Sequence, residues 1–84
     1  MKTVKVFALS TCPWCKKTKQ FFQDRKIPAE FFDYDLAGAR EQEELLAEME
    51  RFGGGNSFPL VLIGEEAVEG YDPDQFCDLL EIPK

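Results

Sequence analysis

Two cysteines separated by two residues, in the run Cys12-Pro13-Trp14-Cys15, stand between a short apolar segment and a segment with helical spacing. The apolar run from Val4 to Leu9 predicts a β-strand, and Phe21 and Phe22 predict the buried side of a following helix. Proline favours the first position of a helix, because its missing N–H has no intrahelical partner there. Cys12 is therefore expected at the N-terminus of the helix, with Cys15 one turn later.

This spacing suits a disulfide that opens and closes without refolding of the chain. Residues three apart on a helix have Cβ atoms about 5–6 Å apart, and small adjustments bring them into disulfide range. Closing so short a loop stabilises a fold by only about 2 kcal/mol in the chain-entropy model, against about 4.7 kcal/mol for a 100-residue loop. The pair Cys12 and Cys15 therefore indicates redox chemistry rather than structural cross-linking.

The rest of the chain predicts alternating strands and helices in the order β-α-β-α-β-β-α. The expected strands are Met1–Leu9, Glu30–Asp35, Ser57–Ile63 and Ala67–Glu69, and the expected helices are Pro13 to about Arg25, Ala39–Phe52, and one opened by Asp72-Pro73-Asp74-Gln75. Apolar residues on both faces of the first strand predict a central strand covered by helices. The first two strands should pair in parallel through a right-handed crossover, and the last two should form an antiparallel hairpin.

Length and composition exclude several classes of protein. A chain of 84 residues is expected to form one domain, spanning 1–84, with a modest core, and 44% hydrophobic content favours a globular chain. No apolar run approaches the roughly 20 residues of a membrane span. Lys5 interrupts the N-terminal apolar run, which is also too short for a signal peptide. We therefore expect a cytoplasmic protein without a membrane partner, and a monomer.

Charge is distributed unevenly along the chain. The net charge of −6 argues against a general nucleic-acid partner. Residues 1–26 nevertheless carry seven Lys and Arg against Asp24 alone, whereas residues 27–84 carry three against fifteen Asp and Glu. The basic portion holds both cysteines of the pair. Lys16 and Lys17 therefore form either a solvated helix face or a positive environment for a thiolate, and the sequence leaves both interpretations open.

The element order and three separated motifs resemble the glutaredoxin branch of the thioredoxin-fold family. The motifs are Cys12-Pro13-Trp14-Cys15, Ser57-Phe58-Pro59 and Gly70-Tyr71-Asp72. The resemblance implies an α/β thioredoxin fold, with a four-stranded mixed sheet flanked by helices and a cis peptide bond at Pro59. It also implies a thiol–disulfide oxidoreductase whose substrate or glutathione contacts are Trp14, Phe58, Pro59, Tyr71 and Asp72.

The chemistry expected of such a protein divides the two cysteines into different roles. Unpaired N–H groups and the helix dipole favour an anion at a helix N-terminus, so Cys12 is predicted to be the nucleophile. Cys15 is predicted to be the more buried resolving thiol. Pro13, Lys16 and Lys17 are predicted to support the thiolate, and Cys77 is predicted to be a small buried hydrophobe.

The substrates and electron donor are open at this stage. The resemblance implies reduction of protein disulfides or glutathione mixed disulfides, with no tightly bound cofactor and with glutathione as a co-substrate. Leu9, however, stands where many glutaredoxins carry Lys. Gly70-Tyr71-Asp72-Pro73-Asp74 is also similar to a segment of redoxins that serve ribonucleotide reductase and are reduced by thioredoxin reductase. A reductase is therefore an alternative donor.

A third reading is a binding module for a metal or an iron–sulfur cluster. Zinc in structural sites takes four ligands. This chain has no His, and Cys77 is the only cysteine outside the pair. The sequence therefore predicts no metal site.

Overall fold

The computed structural model describes residues 2–53 and 58–83, and its elements follow the expected order. The strands are β1 (Val4–Ala8), β2 (Glu30–Asp33), β3 (Leu60–Ile63) and β4 (Glu66–Glu69), and the helices are α1 (Pro13–Asp24), α2 (Ala39–Arg51) and α3 (Pro73–Leu80). A 3₁₀ turn, Tyr34–Leu36, follows β2.

The four strands form one mixed sheet in the order β2-β1-β3-β4. β1 pairs in parallel with β2, with Val6 opposite Phe31, and antiparallel with β3, with Val6 opposite Val61. β3 and β4 form the antiparallel hairpin, with Val61 opposite Val68. The predicted sheet and its central first strand are confirmed, and the C-terminal end of β1 leads directly to Cys12.

The two faces of the sheet carry separate hydrophobic clusters. On one face, Phe21 and Phe22 of α1 and Phe76 of α3 pack against the side of β1 that bears Val4 and Val6. On the other face, α2 covers Phe7, Leu60 and Leu62 with Leu45 and Met49, and Phe52 packs at the edge of the same cluster. Helices cover both sides of β1, as the apolar residues on both of its faces predicted.

Several element ends differ from the sequence-based boundaries. The first strand spans Val4–Ala8, whereas Met1–Leu9 was expected, and Met1 lies outside the described residues. The second strand ends at Asp33 rather than Asp35, because the Tyr34 carbonyl accepts hydrogen bonds from Ala37 N at 3.3 Å and Gln42 Nε2 at 2.8 Å. These bonds turn the chain into α2 instead of extending the strand.

The start of β3 and the ends of the first two helices also shift. β3 begins at Leu60, after a bend at Phe58 and Pro59, and Pro59 has no N–H for a strand ladder. The expected start at Ser57 lies outside the described residues. α1 ends at Asp24 and α2 at Arg51, one residue before each expected end.

Among residues 2–53 and 58–83, no helix combines the length and the apolar character that a membrane span requires.

Candidate active site

Cys12 occupies the N-cap position of α1, as the position of Pro13 predicted. Its backbone is extended, with φ −80° and ψ 121°, and its Sγ accepts a hydrogen bond from the backbone N of Cys15 at 3.3 Å. Pro13 takes the first helical position, where no N–H is needed. The sulfur of Cys12 therefore satisfies one of the N–H groups that a helix end leaves unpaired.

The loop before Cys12 is held by a residue that follows β2, the strand that pairs with β1. Asp35, in the 3₁₀ turn, accepts hydrogen bonds from Ser10 N at 2.8 Å and from the Ser10 hydroxyl. The hydroxyl and the N–H of Ser10 hold the pKa of Asp35 below its ordinary value. The sequence analysis did not find this contact, because the two residues lie 25 positions apart and carry no local signal.

The two thiols of the pair differ in exposure. Both cysteines are free thiols, and Cys12 is partly exposed, whereas Cys15 is fully buried, with 0% of its surface accessible. Cys15 lies in the cluster beneath α1, where its Sγ accepts the backbone N–H of Leu9 at 3.4 Å. A substrate can therefore reach Cys12 but not Cys15.

The pKa values of the two thiols are shifted in opposite directions. Burial raises the pKa of Cys12, but hydrogen bonds from the Cys15 thiol and from the N–H groups of Cys15 and Trp14 outweigh it, so the pKa lies below that of an ordinary cysteine. Burial, together with the hydrogen bond that it donates to Cys12, raises the pKa of Cys15 to about 12. The exposed thiol is thus the more acidic one.

A groove of about 280 Å³ is lined by Trp14, which lies between the two cysteines in the sequence, and by Phe58, Pro59, Gly70 and Tyr71. The Trp14 and Tyr71 rings stack with centroids 6.0 Å apart, and 55% of Trp14 is exposed. The Phe58–Pro59 peptide bond is cis, as the resemblance implied, and the Pro59 carbonyl accepts the Gly70 N–H at 2.8 Å. Four of the predicted contact residues therefore meet in one aromatic groove.

The other predicted residues lie around this groove. Asp72 is the N-cap of α3, where its Oδ1 accepts the Gln75 N–H at 3.2 Å. Lys17 Nζ lies 4.7 Å from the centroid of the Trp14 ring, and Lys16 is exposed. Their predicted roles in substrate binding and thiolate support stay predictions. Gly70, which the sequence analysis did not assign to the groove, belongs to the same motif as Tyr71 and Asp72.

Another groove in the described part of the chain lies away from the cysteine pair. A groove of about 370 Å³ at the opposite end of β1 and β2 is lined by residues 2–4 and 28–30, and no cysteine lines it. Cys77 is buried in α3, as predicted. In the part of the chain that the structure describes, no group of three or more His, Cys, Asp or Glu side chains is arranged to hold a metal ion.

Comparisons with known proteins agree with this geometry. The family model for glutaredoxin matches residues 4–68. The curated glutaredoxin of Pseudomonas aeruginosa is 31% identical over 72 residues, which cover 86% of this chain and 80% of that protein. A glutaredoxin-like 8.6 kDa protein from a rubredoxin operon of Clostridium pasteurianum is 28% identical, over 93% of this chain and 97% of the other.

Solved structures show the same fold. The glutaredoxin of Methanosarcina mazei is 33% identical, with a TM-score of 0.86 over 93% of this chain and 77% of that one. The methanoredoxin of Methanosarcina acetivorans is 30% identical, with a TM-score of 0.87 over 93% of this chain and 83% of that one. With a thioredoxin fold, a dithiol at the N-terminus of its first helix and a family match over most of its length, this chain belongs to the glutaredoxin family.

Proposed function

We propose that this protein is a dithiol oxidoreductase that reduces protein disulfides or glutathione mixed disulfides. One observation carries the proposal. Cys12 and Cys15 lie one turn apart, with one thiol partly exposed and acidified and the other buried with a raised pKa. Since the thiolate is the nucleophile in thiol–disulfide exchange, this asymmetry supports attack by Cys12 and later resolution by Cys15.

The proposed reaction proceeds in two exchange steps. The Cys12 thiolate attacks one sulfur of the substrate disulfide, and a mixed disulfide forms while the other substrate sulfur leaves as a thiolate. Cys15 then loses its proton to solvent and attacks the Cys12 sulfur. The bond between Cys12 and substrate breaks, the substrate leaves with the electron pair as a second thiolate, and the Cys12–Cys15 disulfide remains. The substrate gains two electrons, and the protein loses two.

The aromatic groove is the proposed binding surface for the substrate. Trp14 and Tyr71 offer flat apolar faces, and Phe58 and Pro59 also line the groove. The backbone of Phe58 would pair with an extended substrate as an added strand, and the N-terminus of α3 at Asp72 would hold a carboxylate. In this proposal glutathione is a co-substrate, and the protein carries no tightly bound cofactor.

Single substitutions of the two cysteines test the proposal. The assay follows reduction of hydroxyethyl disulfide by glutathione, coupled to glutathione reductase, and reduction of insulin disulfides by a dithiol donor. Cys12→Ser is expected to abolish both activities, and Cys15→Ser is expected to lose insulin reduction. Cys77→Ser, a buried position outside the pair, is the control and should retain both. An active Cys12→Ser together with an inactive Cys15→Ser would reverse the assigned roles.

A second candidate keeps the chemistry but changes the electron donor. In this redoxin function, a thioredoxin reductase-like flavoprotein reduces the disulfide, and the protein supplies electrons to a partner such as ribonucleotide reductase. Leu9, at the position where many glutaredoxins carry Lys, is the observation that favours it. The oxidised protein is mixed with NADPH and either glutathione plus glutathione reductase or thioredoxin reductase alone. Faster NADPH consumption with thioredoxin reductase would select the redoxin function.

A further inference from the structure

Lys19 lies one helical turn after the buried thiol of Cys15 and has no role in the proposed reaction. It follows Cys15 by four positions on α1, so the two side chains share one face of the helix, with Cβ atoms about 5–6 Å apart. Its Nζ lies 2.5 Å from Asp33 Oδ1, and the Lys19 and Asp33 side chains are only 22% and 28% exposed. The ion pair holds the Lys19 ammonium in place, and the Asp33 carboxylate offsets part of its positive charge.

The position of Asp33 is set by the sheet. It ends β2 opposite Ala8 in the parallel register, and Leu9, the next residue, donates its N–H to Cys15 Sγ. Asp33, which pairs with Lys19, and Leu9, whose N–H bonds to Cys15, therefore lie at the same end of the parallel strands β1 and β2. Burial is the main influence on the pKa of Cys15 and raises it, whereas the charge of Lys19 lowers it.

Two other lysines of α1 near the active site are exposed to solvent. Lys17 lies over the Trp14 ring, and Lys16 is exposed. The titratable groups that share the buried cluster with Cys15 are Cys12 on α1, Tyr71 before α3 and Cys77 on α3. The negative charge next to Lys19 is the Asp33 carboxylate with which it pairs. Lys19, held by Asp33, is the cation placed to act on the buried thiol.

We propose that Lys19 is a positioning residue for the resolving step and promotes the attack of Cys15 on the disulfide between Cys12 and the substrate. The inference rests on the proposed function, because it assumes that Cys15 resolves the mixed disulfide. When Cys15 gives up its proton to solvent, a sulfur anion forms in the buried environment. The ammonium group of Lys19 stabilises that anion before it bonds to Cys12 and the substrate thiolate leaves.

Stopped-flow reaction of the reduced protein with dithiobis(nitrobenzoate) separates the two steps. Attack by Cys12 releases one thionitrobenzoate at a rate proportional to reagent concentration. Attack by Cys15 releases the second at a rate independent of that concentration. At neutral pH, Lys19→Met is expected to slow only the second phase, by about threefold to tenfold for the loss of one partly solvated charge. Because the pKa of Cys15 lies far above neutral pH, the second-phase rate of both proteins should rise with pH, and that of Lys19→Met should be lower at each pH.

Three further variants make the result specific. Lys19→Arg keeps the charge and should restore a second phase close to that of the wild type. Lys2→Met removes a lysine at the far end of β1 and should leave both phases unchanged. Cys15→Ser should eliminate the second phase, which assigns that phase to Cys15.

The possible failures are distinguishable. A wild-type protein without a second phase would overturn the proposed function itself. A wild-type second phase whose pH profile superimposes on that of Lys19→Met would overturn only the role of Lys19. The role would also be overturned if Lys19→Arg were as slow as Lys19→Met, or if Lys19→Met slowed the first phase equally.

Discussion

Cys12 and Cys15 are both cysteines and lie one helical turn apart, yet their surroundings give them different chemical properties. Cys12 caps the helix and receives hydrogen bonds from the Cys15 thiol and from backbone N–H groups, which lower its pKa despite partial burial. Cys15 points into the cluster between α1 and the sheet, and burial raises its pKa to about 12. The difference arises because Cys12 lies at the exposed N-terminus of the helix, whereas Cys15, one turn later, lies on its buried face.

The acidity of Cys12 predicts how fast it reacts at neutral pH. Because its pKa is lowered, Cys12 carries more thiolate at a given pH than an ordinary cysteine, and the pH midpoint of its alkylation by iodoacetamide should lie below that of free cysteine. Cys15→Ala removes the thiol that donates to Cys12 and should move that midpoint upward. Cys15→Ser keeps an O–H donor and should move it less. A wild-type midpoint at or above that of free cysteine would contradict the assignment.

At the scale of residues, the sequence analysis identified site residues that are close in sequence or belong to a motif. Trp14, Phe58, Pro59 and Tyr71 were predicted together, and the structure brings them to one groove. The contacts that it missed join distant positions. Lys19 reaches Asp33 across 14 residues and Ser10 reaches Asp35 across 25, and both depend on the register between β1 and β2, which no local pattern fixes.

At the scale of elements, helix starts were easier to predict than helix ends. Proline after an N-cap residue marks the starts of α1 and α3, and Asp72 caps α3 through Gln75 N. Gly53, with φ 84°, follows α2, but α1 and α3 end without a glycine. Lys26 and Glu81 follow α1 and α3 in the left-handed region, with φ 55° and 59°. Since glycine is the usual signal for this conformation, these two helix ends lack that signal in the sequence.

The end of α1 has the hydrogen bonds of a Schellman motif. Lys26 N donates to Gln23 O at 3.1 Å, and Ile27 N donates to Phe22 O at 2.9 Å. The left-handed conformation costs a residue with a Cβ about 1–2 kcal/mol, whereas glycine adopts it freely but loses more chain entropy on folding. The motif thus places a strained residue where glycine is preferred.

Lys26→Gly is therefore expected to stabilise the protein by about 0.5–1 kcal/mol. Urea unfolding followed by circular dichroism measures the change as a higher midpoint with an unchanged slope. Lys26→Ala is the matched control, because it removes the same charge and keeps the Cβ that causes the strain. Equal stability of the Gly and Ala variants would show that the backbone at this position is not strained.

For the molecule as a whole, the active-site groove is continuous with the core on one face of the sheet. Phe76 of α3 is fully buried, and its ring centroid lies 5.3 Å from both Phe21 and Phe22 of α1. The same ring lies 6.2 Å from Tyr71, which stacks on Trp14. The aromatic cluster thus joins the two helices whose N-termini border the groove. A sequence pattern identifies the buried phenylalanines, but only the folded sheet shows that they support the site.

Phe76→Ala tests this connection. Removing a fully buried phenylalanine ring costs about 3–5 kcal/mol through lost apolar burial and the cavity that remains, and domains are stable by only about 5–15 kcal/mol. The urea midpoint should therefore fall steeply, and Trp14 fluorescence should report a loosened contact with Tyr71 before global unfolding. Phe76→Leu, which fills part of the cavity, should lose much less stability. Leu36→Ala, at a side chain 71% exposed, should change stability by less than about 0.5 kcal/mol. If Phe76→Ala unfolded at the same urea concentration as Leu36→Ala, the aromatic cluster would not be what holds α1 and α3 together.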